Sequence, residues 1–263
     1  MTSRVFTGRP TLVGHRGMGR GVVDGHVENT LESFLAAVAT GADWVEADVG
    51  RTADDELFVL HDSALAEGAF LSDATARTAA EHGAVRVTEL LDVLPPAVGV
   101  MFDVKSSMHD ARRSPTSTTA AMLARTCSQA LRERPAIALS FDPAALRHMR
   151  EELPSLPLGL LTWLNFPIGQ AVAAAAHLEV QVLAVHAGSL WRNAVNGRND
   201  VPSVQRVVDF VHDADRELAV WCPSERRAKV LAAAGADALV VDNVARHARA
   251  VSQVNAGRLV TDR

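Results

Sequence analysis

The segment WVEADVGRTADDELFVLHD, residues 44–62, decides how the rest of the chain is interpreted. Its first half alternates as a strand does, with Glu46 and Asp48 on one face and apolar residues on the other. A turn-like stretch of small and acidic residues follows, and a second apolar run then ends at His61. The pattern predicts a hairpin that returns His61 to the two carboxylates, which is typical of metal binding and proton transfer.

A short apolar run, residues 11–14, precedes this segment and predicts a buried strand that ends at His15 and Arg16. The next helix is expected to begin at Asn29, an N-cap residue, with Glu32 in the capping-box position. Strand, helix and strand in succession form a βαβ unit, whose strands are normally covered on both faces. The acidic face of the second strand is therefore more consistent with a functional interior than with a solvated surface.

The downstream chain repeats this organisation. The strand predicted over residues 98–105 places Asp103 and Lys105 opposite a row of apolar side chains, and one helix is expected over residues 118–133. Predicted strands centre on residues 12, 46, 101, 138, 160, 184, 220 and 240. Eight βα units predict an α/β fold, a (β/α)8 TIM barrel with an extra β-hairpin arm after strand 2 and a short insertion over residues 63–84. An open doubly wound sheet is the alternative, and residues 1–263 are expected to form a single domain.

Active sites of such barrels lie at the C-terminal ends of the strands, where the charged residues are expected to converge. Glu46, Asp48 and Asp103 form a plausible oxygen-ligand site for Mg²⁺ or Ca²⁺. Arg16 and Lys105 add positive charge, which suits an anionic phosphoryl substrate.

The two histidines predicted near this site, His15 and His61, have the side chain suited to general acid and general base chemistry at neutral pH. Taken singly, each of these signals has an ordinary structural explanation, because an E-x-D pair usually lies on a solvated face. A histidine at a strand end is likewise usually a hydrogen-bonded structural group. Convergence at one end of the barrel favours the functional interpretation.

Composition restricts the partners and the compartment. The formal net charge of −5 gives no electrostatic argument for nucleic acid or an anionic membrane as the main partner. No apolar run of membrane-spanning length occurs, so no integral membrane segment is expected. The two distant cysteines, Cys127 and Cys222, predict a reducing, cytoplasmic location, and Cys222 is interpreted as a buried structural thiol. The sequence gives no indication of the oligomeric state.

Taken together, the short motifs closely resemble those of the glycerophosphodiester phosphodiesterases. The dense part of the resemblance covers residues 14–62, and weaker matches continue to residue 243. The motifs are His15-Arg16-Gly17, Glu28-Asn29-Thr30, Gly41-Ala42-Asp43, Glu46-x-Asp48-Val49, His61-Asp62, Asp103-x-Lys105, Ser140-Phe141-Asp142, Trp221, Gly235-Ala236-Asp237 and Asp242-Asn243. Any one of these is weak evidence, whereas the combination at these spacings is highly specific.

The resemblance implies a TIM barrel that hydrolyses glycerophosphodiesters to an alcohol and glycerol 3-phosphate with Mg²⁺ or Ca²⁺. It implies that Glu46, Asp48 and Asp103 hold the metal, that His15 and His61 are acid and base, and that Arg16 and Lys105 contact phosphate. It also implies attack by a neighbouring substrate hydroxyl, a cyclic phosphate, and ring opening by water.

Three features of the sequence depart from the family pattern. Asp103 stands where the family usually has Glu, and Val27 stands where it usually has Pro. The segment after Asp62 is shorter than is common, and in the family this segment helps to shape the alcohol pocket. The resemblance therefore gives the least information about which alcohol the substrate carries.

Two further functions remain open at this stage. A lysophospholipase D, or a phospholipase that forms a cyclic phosphate, would be favoured if Trp163, Leu190 and Trp191 were exposed near the barrel mouth. Trp163 and Trp221 are the candidate residues of the substrate pocket. A non-catalytic barrel that binds metal or phosphate is the other alternative, although a binding protein has no need of the pair His15 and His61.

Overall fold

The computed structural model describes residues 4–8, 10–62, 64–65, 68–191 and 204–261, with side chains up to residue 253, and these residues form an α/β barrel. Its strands are β1 (Thr11–His15), β2 (Val22–Val23), β3 (His26–Val27), β4 (Trp44–Arg51), β5 (Leu57–Val59), β6 (Val85–Arg86), β7 (Gly99–Val104), β8 (Ala136–Ser140), β9 (Leu158–Thr162), β10 (Val182–His186), β11 (Glu217–Trp221) and β12 (Ala238–Val241). Eight of these described strands, β1, β4 and β7 to β12, are parallel and close on themselves because β1 pairs with both β4 and β12. The predicted (β/α)8 TIM barrel is confirmed.

Helices follow the barrel strands and cover their outer faces. They are α1 (Leu31–Ala39), α2 (Ala76–Glu81), α3 (Val87–Val93), α4 (Thr119–Thr126), α5 (Ser128–Glu133), α6 (Pro143–Glu152), α7 (Ile168–His177), α8 (Ala187–Trp191), α9 (Val204–Asp213), α10 (Glu225–Ala234) and α11 (Val244–Thr261). No helix in the described ranges combines the length and apolar character needed to cross a bilayer.

The predicted hairpin arm is confirmed and has a simple geometric origin. β4 extends beyond the end of β1, whose last pairing joins His15 to Glu46. The unpaired end of β4 is taken by β5, which runs antiparallel to it with Val49 opposite Val59, and β6 adds a third strand. The arm therefore stands on the C-terminal side of the barrel. The insertion over residues 63–84 contains α2 and a 3₁₀ turn at Leu71–Asp73 in its described part.

Two local predictions were wrong. The N-cap of α1 is Thr30, whose hydroxyl accepts a hydrogen bond from the Ser33 amide at 3.2 Å, and not Asn29. Asn29 instead has a φ of 57°, which turns its side chain into the barrel mouth. The helix expected over residues 118–133 is divided into α4 and α5 at Cys127, whose backbone (φ −104°, ψ 10°) is not helical.

The core consists of an apolar layer between strands and helices and a second layer inside the barrel. Trp44 closes the lower end of the inner layer, where its ring meets Phe6 edge-on at 5.3 Å. Gly99, on the neighbouring strand, leaves the space for this indole, because a Cβ at that position would overlap the ring of Trp44. The floor of the barrel therefore depends on the absence of a side chain at residue 99.

Replacing Gly99 with Ala is expected to destabilise the protein by ~1–3 kcal/mol, because the added methyl overpacks the barrel floor. The matched control is Gly169→Ala in α7, where a Cβ would meet no described atom within 4 Å. That change should be neutral or stabilising by up to ~1 kcal/mol, because Ala is less flexible than Gly in the unfolded chain. Urea unfolding of both variants measures the difference. Equal stability of the two variants would contradict this account of the floor.

Candidate active site

A cavity of about 360 Å³ opens at the C-terminal end of the barrel. One part of its wall is charged and another part is apolar and aromatic. The charged lining residues are His15, Arg16, Glu46, Asp48, His61, Asp62, Asp103 and Lys105. All seven charged residues predicted for the site are among them, and both predicted pocket residues, Trp163 and Trp221, lie in the aromatic wall.

Three buried carboxylates form the centre of the charged wall. Glu46 and Asp48 project inward from β4, and Asp103 lies beside Asp48 in the register of β7. One oxygen of each lies within 4.8 Å of the other two. Burial raises the pKa of Glu46 to about 8, and the charge on Asp48 adds to the rise. Burial also raises the pKa of Asp103 to about 6, although Lys105 opposes the shift.

Asp48 is the carboxylate that stays ionised. Burial alone would raise its pKa, but Lys105 and Arg16 outweigh burial and hold that pKa below its usual value. Lys105 Nζ lies 3.0 Å from one oxygen of Asp48, and Arg16 Nε lies 3.2 Å from the other. Asn29 Nδ2 also donates to this second oxygen at 3.1 Å. Cations and an amide therefore surround Asp48 on several sides.

The three carboxylates fit a divalent cation. Carboxylate oxygens are the ligands that hard cations prefer, and at this separation the three charges repel one another. Asp103 Oδ1 is buried and lacks a hydrogen-bond partner among the described atoms. Lys105 Nζ contacts the other oxygen of Asp103, so an internal cation already compensates part of the negative charge. Glu46, Asp48 and Asp103 can together hold a metal ion.

His15 lies at the end of β1 between two acidic groups. Its Nδ1 is 2.6 Å from Asp242 Oδ1 and 3.7 Å from Cys222 Sγ, and its Nε2 is 3.9 Å from Glu46. Burial lowers the pKa of His15, but the bond to Asp242, the contact with Cys222 and the charge of Glu46 together raise it well above 6.5. These contacts therefore favour the protonated form of His15.

His61 follows β5 and reaches the cavity because the arm folds over the end of β4. The Leu60 amide donates to the Asp48 carbonyl at 3.0 Å, which ties the arm to the acidic strand. His61 Nδ1 lies 2.8 Å from Asp62 Oδ1, and the His61 side chain is 38% exposed. Both histidines thus have a carboxylate at Nδ1, which leaves Nε2 as the second ring nitrogen.

The backbone turns at Arg16, which has a φ of 54°. Consecutive residues of a straight strand point to opposite faces, and this turn allows both His15 and Arg16 to face the cavity. The Arg16 guanidinium donates to Glu28 at 2.9 Å, and its amide donates to Glu46 Oε2 at 3.0 Å. Arg16 is therefore fixed by acidic residues on two sides.

The aromatic wall is built around Phe141. Its ring stacks on Trp163 at 3.9 Å and meets Trp221 nearly perpendicularly at 6.3 Å. Trp163 is 64% exposed at the rim of the cavity. Leu190 is 1% exposed, so it does not meet the condition that would favour a lysophospholipase D. Trp191 is half-buried beneath the guanidinium of Arg227.

Several residues at the site had no assigned role in the sequence interpretation. Asp242 and Phe141 are named only within motifs, and Asn29 is misplaced as a helix cap. Asp242 follows the last barrel strand, so the rule that strand ends form the site was the signal that could have identified it. Cys222 was interpreted as a buried structural thiol. It is only half-buried and contacts His15, so that interpretation was wrong.

Comparison with known proteins gives a consistent picture. Residues 15–246 match the model of the glycerophosphoryl diester phosphodiesterase family. The glycerophosphocholine phosphodiesterase GDE1 of Eremothecium gossypii is 43% identical over 60 residues, which make up 21% of this chain but only 4% of the fungal protein. The match with this curated relative therefore spans a small part of its length.

Solved structures resemble the whole barrel. A glycerophosphodiester phosphodiesterase from Parabacteroides distasonis has a TM-score of 0.75 at 17% identity, covering 95% of this chain and 98% of that one. An Oleispira antarctica phosphodiesterase in complex with the product sn-glycerol-3-phosphate has a TM-score of 0.72 at 20% identity, covering 92% of this chain and 97% of that one. At such identities the likeness establishes the shared fold.

The raised pKa of Glu46 predicts a pH-dependent stability in the presence of a chelator. From pH 4.5 to about 8, the unfolded chain has lost the Glu46 proton and the folded chain retains it, so stability falls as pH rises. Glu46→Gln should make this part of the profile less steep, with Asp103 and His15 accounting for the remaining slope, whereas Glu32→Gln, an exposed change in α1, should leave it unchanged. Thermal unfolding midpoints measured across this range test the difference. A Glu46→Gln profile parallel to that of the unmodified protein would exclude this role of Glu46.

Proposed function

Because the chain belongs to the glycerophosphoryl diester phosphodiesterase family, we propose that it hydrolyses glycerophosphodiesters to an alcohol and glycerol 3-phosphate. The observation that carries the proposal is the composition of one cavity wall, where three buried carboxylates, two histidines and two cations meet. The bound product of the Oleispira antarctica phosphodiesterase and the name of the fungal relative support the same class of substrate.

In this proposal Glu46, Asp48 and Asp103 hold Mg²⁺ or Ca²⁺, which supplies positive charge to the phosphoryl oxygens when it is bound. Asp103 is one methylene shorter than Glu, and its buried, unpartnered Oδ1 supports a role as a ligand. Arg16 and Lys105 bind the phosphate. Both side chains are held by carboxylates before substrate arrives, so little conformational freedom is lost on binding.

His15 and His61 transfer the protons. One histidine accepts the proton of the substrate hydroxyl beside the phosphate, and that oxygen attacks phosphorus to close a cyclic phosphodiester. The other donates a proton to the departing alkoxide, so the alcohol leaves neutral. Water then opens the ring with the two roles exchanged, which restores both histidines. Asp242 and Asp62 orient the imidazoles by holding Nδ1, which leaves Nε2 for the substrate.

The aromatic wall binds the organic part of the substrate. Trp163 and Trp221 line the same cavity as the charged residues, so a substrate can lie with its phosphate at the charged residues and its carbon skeleton against the indole rings. We further propose that residues 1–263 act as one domain and in a reducing, cytoplasmic environment. Both cysteines are free, which is consistent with that compartment.

Activity is expected on glycerophosphocholine in the presence of Mg²⁺ or Ca²⁺ and should be lost with EDTA. His61→Asn should lower kcat by ~10²–10⁴-fold, because a proton-transfer group is removed while the phosphate contacts remain. The control is His177→Asn, an exposed change at the end of α7. Steady-state release of choline measures each rate. A protein that cleaves no glycerophosphodiester with any divalent cation would overturn the proposal.

A lysophospholipase D is the second candidate, and the exposed ring of Trp163 at the cavity rim is the observation that favours it. Leu190 and Trp191 do not extend this apolar surface, so we expect glycerophosphocholine to be cleaved faster than lysophosphatidylcholine. Rates measured on lysophosphatidylcholines of increasing acyl length decide between the two. The lysophospholipase would be favoured if the rate increased with acyl length and if Trp163→Ala abolished that increase.

A further inference from the structure

A second group of potential metal ligands lies beside His15, and it differs in chemistry from the three carboxylates. It consists of His15 Nδ1, Cys222 Sγ and a carboxylate oxygen of Asp242, all within 4.8 Å of one another. His15 lines the substrate cavity, whereas Cys222 and Asp242 are not among the residues of its wall. Asp242 and Cys222 contact His15 at Nδ1, whereas Glu46 lies near Nε2 on the other side of the ring.

The ligand types select the class of cation. An imidazole nitrogen, a thiolate and a single carboxylate suit borderline or soft ions such as Zn²⁺ and Cd²⁺, whereas Mg²⁺ and Ca²⁺ prefer oxygen ligands. Three protein ligands with a fourth position open to water is a common arrangement for zinc. The Asp242 side chain is 34% exposed, so solvent reaches this group.

The distances support such a site. For Zn–N of about 2.0–2.1 Å and Zn–S of about 2.3 Å, a tetrahedral ion separates the two ligand atoms by roughly 3.6 Å. The observed distance between His15 Nδ1 and Cys222 Sγ is 3.7 Å. His15 Nδ1 and Asp242 Oδ1 are 2.6 Å apart, which is less than the separation of two ligand atoms bound to one ion. The carboxylate must therefore move away by roughly 0.7 Å when the ion binds.

The barrel fixes these ligands in place. Cys222 and Asp242 directly follow β11 and β12, His15 is the last residue of β1, and β12 pairs with both of the other strands. Cys222 has a φ of 52°, an uncommon conformation for a residue other than glycine, and its amide donates to the Val240 carbonyl at 2.9 Å. This turn sets the thiol against His15 at the strand end.

We propose that His15, Cys222 and Asp242 form an inhibitory binding site for a thiophilic divalent cation of the Zn²⁺ class. On binding, the thiol loses its proton to solvent, as does Nδ1 of the imidazole, and both become ligands. The single hydrogen left on the ring is then on Nε2, so His15 cannot accept a proton from the cavity. The inhibitory consequence, though not the binding itself, rests on the phosphodiesterase function proposed above.

Cd²⁺ is the probe for binding, because a bond between cadmium and thiolate gives an ultraviolet charge-transfer band and carboxylate ligands give no such band. Protein saturated with Mg²⁺ is titrated with Cd²⁺ while this absorption is recorded. The unmodified protein is expected to develop the band at one equivalent, and Cys222→Ser should not develop it. Cys127→Ser is the matched control and should behave as the unmodified protein, since Cys127 is buried between helices and burial raises its pKa to about 12.

Zn²⁺ inhibition provides the second measurement. Each variant's rate on glycerophosphocholine is expressed relative to its own rate without Zn²⁺, and on this scale Cys222→Ser should require at least tenfold more Zn²⁺ for half inhibition. Cys222→Gly, which suits the left-handed backbone, serves the same purpose if the serine variant folds poorly. The proposal is overturned if the unmodified protein gives no band, if the band is lost in Cys127→Ser and kept in Cys222→Ser, or if Cys222→Ser is equally sensitive to Zn²⁺. The band does not depend on turnover, so an inactive protein that shows it would contradict only the phosphodiesterase proposal.

Discussion

Three carboxylates buried within 4.8 Å of one another are the constraint on which the site depends. Like charges at that separation repel strongly where little water screens them, so the site has to supply positive charge or retain protons. Lys105 and Arg16 keep Asp48 ionised, while the pKa values of Glu46 and Asp103 are raised. The surrounding cations are thus required by the buried carboxylates themselves, in addition to the phosphate-binding role proposed for them.

The strand that carries two of these carboxylates also organises the rest of the mouth. β4 is longer than β1, and the part that extends beyond β1 pairs with β5. This switch from a parallel to an antiparallel neighbour brings His61 over the cavity, although His61 is not at the end of a barrel strand. The arm and the acidic centre are therefore parts of one structural arrangement, because the Leu60 amide is bonded to the carbonyl of Asp48 itself.

His15 connects the acidic centre to the other side of the barrel mouth. One ring nitrogen lies near Glu46, and the other lies against Asp242 and Cys222. Groups on the side of the histidine remote from the cavity therefore help to raise the pKa of the His15 ring. A cation bound at Cys222 and Asp242, as proposed above, would therefore affect the cavity through the ring of His15.

The sequence by itself determined the barrel, its hairpin arm and the convergence of seven charged residues, because strand periodicity and the strand-end rule are local properties. It did not determine the roles of Asn29, Cys222 and Asp242. Asn is a common residue at helix N-caps, so the sequence alone predicts that role for Asn29. Only the turn at φ 57° directs its side-chain amide to Asp48. Asp242 is 227 residues from His15, and the closure of β12 on β1 alone brings the two together. Local pattern fixes which side chains share a face, whereas contacts between distant strand ends exist only once the sheet has closed.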